Sequence, residues 1–70
     1  MEPELLSVLR EAVKIRQRKE ELDRAIGRAL RRRQMNFDVY VKIMSELREL
    51  AKDEKISVDD AATKLLGEKE

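Results

Sequence analysis

One proline, Pro3, and two glycines, Gly27 and Gly67, are all that this 70-residue chain offers to break a helix. Elsewhere apolar residues recur at helical spacing, so the sequence is constrained to fold as helices almost from its start. Pro3 suits the first helical position, where its missing N–H would have no partner, and Glu4 in the first turn complements the helix dipole. Val8, Ile15, Leu22 and Ala29 recur every seven residues, with Leu5, Ala12, Lys19, Ile26 and Arg33 as the companion row. Alternation at three and four is the spacing of a coiled-coil seam. The pattern predicts one long helix over residues 3–33, with that seam facing a partner. Lys19 sits in mid-seam, where it either fixes register or marks a break near Gln17-Arg18-Lys19-Glu20. Leu6, Leu9 and Val13 widen the apolar face of the first half beyond a simple stripe. The expected oligomer interface is therefore Leu5, Leu6, Val8, Leu9, Ala12, Val13, Ile15, Leu22 and Ile26.

Downstream, Tyr40, Ile43, Met44, Leu47, Leu50 and Ala51 make an amphipathic face and predict a second helix over 37–55, capped by Asn36 or Asp38. Residues 34–39 also alternate at period two, so a short strand competes there with a loop, and the loop is favoured. Ser57-Val58-Asp59-Asp60 reads as a helix start close to a capping box, with Ile56 and Ala61 at staple positions. A third helix over 57–67 follows, stopped by Gly67, with Glu68-Lys69-Glu70 fraying. The expected fold is mostly α: a single small helical domain over 1–70, with a long N-terminal helix, a helix-turn-helix pair, and assembly into a helical oligomer. The alternative is a ribbon-helix-helix arrangement with a strand at 34–39.

Size argues for assembly, because a core built from so few residues is marginal and commonly needs a staple. Cysteine and histidine are absent, which removes disulfides, the usual metal ligands, thiol nucleophiles and His-based triads. Acids such as Glu20, Glu21 and Asp23 form no evident catalytic pair, and no glycine-rich phosphate loop is present. Neither an enzyme activity nor a cofactor nor a small-molecule substrate is expected. Without an apolar run long enough to span a bilayer, or a leader-like start at Met1-Glu2-Pro3-Glu4, the chain reads as cytoplasmic with no membrane partner. Charged residues at 44%, with only Gln17, Gln34 and Asn36 as amides, suit the ion-pair surface of a thermophile.

The net charge of +1 conceals segregation: −2 over residues 1–13, +6 over 14–33, and −3 over 34–70. Arg10, Lys14, Arg24, Arg28, Arg31 and Arg32 share one side of the predicted rod, interrupted by Gln17 and Glu21. A stripe of this kind suits an anionic polymer such as nucleic acid, or alternatively a solvated face.

Residues 34–66 resemble the ribbon-helix-helix family of DNA-binding repressors, on Gln34-Met35-Asn36-Phe37-Asp38-Val39, the apolar set Ile43, Met44, Leu47, Leu50 and Ala51, the Ile56-Ser57-Val58 turn, and Ala61, Ala62, Leu65 and Leu66. The resemblance implies paired ribbons in the major groove, with Gln34, Asn36 and Asp38 facing bases. The stretch Ala29-Leu30-Arg31-Arg32-Arg33 followed by Ile43–Leu50 also looks like the oligomerisation region of H-NS-type nucleoid proteins, which implies an assembly unit. Together these readings lead to a non-enzymatic, DNA-binding regulatory or architectural protein acting as a homodimer or higher oligomer. Arg24, Arg28, Arg31, Arg32 and Arg33 are expected on phosphates, and Gln34 and Asn36 as polar readers. The alternative is an antitoxin-like adaptor that captures a protein partner with its apolar N-terminal helix.

Overall fold

A computed structural model describes the backbone of residues 1–69 and the side chains of residues 1–67. Among the described residues there are four helices and no strand: α1 (Pro3–Ile15), α2 (Leu22–Arg32), α3 (Phe37–Glu54) and α4 (Val58–Lys69). They form two helical hairpins, α1–α2 and α3–α4, packed on one another through α2 against α3 and through α1 against both α3 and α4. No helix of the described residues is long and apolar enough to cross a membrane.

The predicted rod over 3–33 is thus corrected to a hairpin, and the chain breaks where Lys19 interrupts the seam. Residues 16–21 hold no apolar side chain, so a helix there would bury nothing. Folding back instead lets the apolar faces of α1 and α2 cover each other, at about 1.5–3 kcal/mol for each large side chain removed from water. Against this stands a left-handed backbone at Lys19, φ 70°, costing about 1–2 kcal/mol. Several buried residues outweigh one strained one. The turn also re-satisfies its polar groups: Gln17 N–H donates to Glu20 Oε1 at 2.9 Å, Glu20 N–H to the Gln17 carbonyl at 3.0 Å, and Arg16 Nε to the Glu20 carbonyl at 2.6 Å.

The core consequently belongs to one chain. Val8, Leu9, Ala12, Ala25, Ile26, Ala29, Ile43, Leu47 and Ala61 have no accessible surface, and Leu5, Leu22, Leu30, Met44, Ala51 and Ala62 close around them. The six alanines in this set let the helix axes approach closely. No polar or charged residue is buried among the described residues, and no buried side-chain polar atom lacks a partner. Of the residues expected to face another subunit, Leu5, Leu6, Val8, Leu9, Ala12, Leu22 and Ile26 are buried within the chain, and Ile15 is partly buried against its core. Val13 stays 43% exposed.

In the second half the sequence signals and the structure agree closely. Asn36 caps α3, its side chain accepting from the Asp38 N–H at 3.4 Å, and the segment 34–39 is a loop running into helix at Phe37. The ribbon alternative is therefore set aside: Phe37, Asp38 and Val39 make the first turn of α3, which leaves the period-two pattern no strand partner. Ser57 Oγ accepts from the Asp60 N–H at 3.0 Å, as its capping pattern predicts. Gly67 does not stop α4, which continues to Lys69 without a left-handed glycine. Glu68 and Lys69 keep helical backbone, and the expectation of fraying at Glu70 lies outside the described residues.

Lys55 closes α3 in the left-handed region, φ 54° and ψ 45°, donating its backbone N–H to the Lys52 carbonyl at 3.4 Å, while Ile56 N–H donates to Ala51. A lysine Cβ is strained in this conformation and a glycine is not. Lys55→Gly is expected to stabilise the fold by about 0.5–1 kcal/mol despite the freer unfolded chain, which a urea midpoint will show. A lower midpoint would mean that the strain is absent.

Candidate nucleic-acid interface

Folding the rod into a hairpin does not disperse its basic stripe; it doubles it back on itself. α2 buries Leu22, Ala25, Ile26, Ala29 and Leu30, so Arg24 and Arg31 point directly away from the core, with Arg28 and Arg32 on the flank nearer α1. α1 buries Leu5, Val8, Leu9 and Ala12, which turns Ser7, Arg10, Glu11 and Lys14 outward beside α2. The antiparallel register is fixed by side chains that span the hairpin. Arg28 Nη2 donates to the Ile15 carbonyl at 3.0 Å, and Arg33 Nη1 donates to Ser7 Oγ at 3.0 Å.

Two carboxylates organise this surface. Glu20, 13% exposed, accepts from Arg28 twice, at 2.6 Å from Nη2 and 2.9 Å from Nε, a bidentate pairing. Glu11 is shared by Arg33, at 2.5 Å, and Arg32, at 3.4 Å. Seven cationic side chains (Arg10, Lys14, Arg24, Arg28, Arg31, Arg32 and Arg33) thus line the outer sides of α1 and α2, with the carboxylates of Glu11 and Glu20 paired among them. Two shallow depressions lie on this surface. One, of about 320 Å³, is lined by Glu20, Arg24, Gly27, Arg28 and Arg31. The other, of about 240 Å³, is lined by Ser7, Arg10, Glu11, Lys14 and Arg33. Gly27 contributes bare backbone to the first, and a Cβ there would meet no other atom within 4 Å.

The predicted phosphate contacts therefore divide. Arg24 and Arg31 reach solvent from the first and last turns of α2, Arg28 and Arg33 brace the hairpin, and Arg32, 63% exposed, does both. Gln34, left-handed at φ 54°, and Asn36 lie exposed in the loop that follows Arg33, at one end of the basic face. Asn36 already spends its side-chain oxygen on the α3 cap. Glu11 and Glu20 escaped the sequence reading because they act on arginines 22 and eight residues away, across a turn that the heptad pattern did not require. Asp59, in the first turn of α4, pairs with Arg16 at 3.1 Å and so ties the α1–α2 turn to the start of α4. Among the described residues no group of three or more acids is placed to hold a metal ion.

The Arg28 guanidinium, through its hydrogen bonds, holds the Glu20 carboxyl below its ordinary pKa of 4.5, and Glu20 raises that of Arg28 in return. A carboxyl with a lowered folded pKa contributes stability that is present above the unfolded value and lost as pH falls through the folded one. The clamp is therefore expected to hold at neutral pH and to release below pH 4.5. A carbon-detected titration of the Glu20 carboxyl should show a midpoint below that of the unfolded chain, and Arg28→Ala should shrink the difference, leaving the part due to the Gln17 N–H. An unshifted midpoint in the unaltered protein would mean that the pair does not form.

No family model, curated protein or solved structure matches this chain.

Proposed function

We propose that this chain is a small, non-enzymatic nucleic-acid-binding protein of regulatory or architectural type, which holds duplex DNA against the outward face of α1 and α2. The observation that carries the reading is the excess of cations over carboxylates on that face, in a chain whose net charge is only +1. Solvation alone is served by mixed signs, whereas concentrated positive charge attracts a polyanion and releases its counterions. Arg24, Arg31 and Lys14 supply mobile point contacts. Arg28 and Arg33, held by Glu20 and Glu11, supply a stiff base that loses little entropy on binding. Gln34 and Asn36, at the end of the patch, are the polar groups nearest to where base edges would come.

The test is fluorescence anisotropy of a labelled random duplex, titrated with protein at about 50 mM and about 200 mM salt, where several phosphate contacts predict at least a tenfold loss of affinity. Absence of binding at the lower salt, with the chain folded by circular dichroism, would overturn the proposal.

The adaptor reading draws less support. Leu5, Leu6 and Leu9 are already covered by the rest of the chain, so α1 would have to leave the core to present them. Leu6, 7% exposed, provides the check. Leu6→Asp is expected to unfold the protein, because it forces an unpaired carboxylate into the core. A folded variant would show that α1 can leave the core, which is what the adaptor requires.

A further inference from the structure

Nothing in the fold accounts for Gly27. It lies in the interior of α2, where glycine is the least favourable residue after proline. Its φ is not positive, so the backbone does not require a glycine. A Cβ built there meets nothing within 4 Å, so packing does not require one either. An alanine at this position would make a better helix without a clash. What distinguishes Gly27 is its surroundings. Arg24 and Arg31 lie about one turn from it on either side, and Arg28 is its neighbour in the chain. With them and Glu20 it lines the depression of about 320 Å³ on the outer side of α2. The Glu20 carboxylate is held by Arg28 through two hydrogen bonds, so three guanidiniums surround the glycine against one carboxylate already paired. Among the described residues Arg24 and Arg31 enter no ion pair, and Arg28 keeps its Nη1 without a partner.

We infer that Gly27 is a close-approach point, at which a phosphodiester group of duplex DNA rests on the bare backbone of α2 among Arg24, Arg28 and Arg31. This rests on the nucleic-acid reading and fixes where on that face the polymer comes nearest. Hydrogen bonds from a guanidinium to a phosphate are short, and they are lost when the phosphate is held even slightly too far away. A methyl group on Gly27 would hold it away. Arg28 could not follow, because Glu20 and the Ile15 carbonyl fix its guanidinium in place. The absence of a side chain is therefore useful to the bound polymer and unfavourable to the helix, which gives the two effects opposite signs in one substitution.

The test pairs thermal melting with fluorescence anisotropy of a labelled random duplex across a salt series. Gly27→Ala should raise the melting temperature by about 2–8 °C. The same variant should bind the duplex at least about fivefold more weakly at low salt, as expected when a charge-assisted hydrogen bond is lost. Its salt slope should fall by roughly one, although no charge has been removed. Gly27→Leu should lower affinity further, and Gly67→Ala on α4, where a Cβ also meets nothing within 4 Å, should leave it unchanged. If the unaltered protein fails to bind, the nucleic-acid reading falls and this inference with it. If the unaltered protein binds and Gly27→Ala binds as tightly, this inference alone is overturned. A lower melting temperature in Gly27→Ala would mean that the fold itself needs the glycine, and an equal loss of affinity in Gly67→Ala would mean that the effect is not local to the depression; either overturns the inference.

Discussion

Replacing Leu9 with Ala is expected to cost about 3 kcal/mol, through lost burial and the cavity left behind. Leu9 has no accessible surface and packs where α1 meets the other helices, so no neighbour can collapse inward without disturbing an adjoining contact. For a domain of this size that loss is a large part of the whole, since stability runs at about 0.05–0.15 kcal/mol per residue. The melting temperature should fall by roughly 12–24 °C. Val13→Ala is the control on the same helix. Val13 keeps 43% of its surface in water, and its truncation should cost no more than about 0.5 kcal/mol. If α1 instead lay in an intersubunit seam covering both residues, the two substitutions would cost similar amounts. Calorimetry on both variants decides between these arrangements.

The second large effect is on binding. Lys14→Ala, Arg24→Ala and Arg31→Ala combined should lower affinity for a random duplex at least tenfold at low salt and reduce the salt slope by about 2–3, roughly one per phosphate contact. Stability should hardly change, because all three side chains are exposed on the outer surface of the hairpin. Arg28 and Arg33 make poor probes by comparison. Arg28 binds Glu20 and the Ile15 carbonyl, and Arg33 binds Glu11 and Ser7, so their removal loosens the hairpin as well as the surface. An unchanged affinity in the triple variant, with melting preserved, would remove the outward face as the binding surface.

Local chemistry made much of this protein legible. Pro3 at the start of α1, Asn36 capping α3, and Ser57 capping α4 act within a few residues of themselves, and their roles follow from residue type and spacing. The buried set is likewise written in the helical period: Val8, Leu22, Ile26, Ala29, Ile43 and Leu47 are inward-facing positions under any arrangement of helices. The concentration of positive charge in residues 14–33 was also plain, since it is a matter of counting.

What covers those apolar faces was not written locally. A heptad seam is satisfied equally by a second chain or by its own continuation folded back, and nothing in the spacing separates the two. Tertiary structure decided for the fold-back, and the physical reason is entropic. Closing a turn of a few residues costs far less than immobilising a separate molecule. Lys19 was the visible trace of that choice, a charge in a seam and then a left-handed residue in a turn. The same closure brought Glu11 to Arg33, Glu20 to Arg28, and Asp59 to Arg16, pairings that span up to 43 residues. The sequence by itself determined which residues are inside and where the positive charge resides. Only the tertiary structure determined that the core closes within one chain, and that the basic stripe becomes a two-helix face, because both depend on contacts between segments that carry no mark of each other.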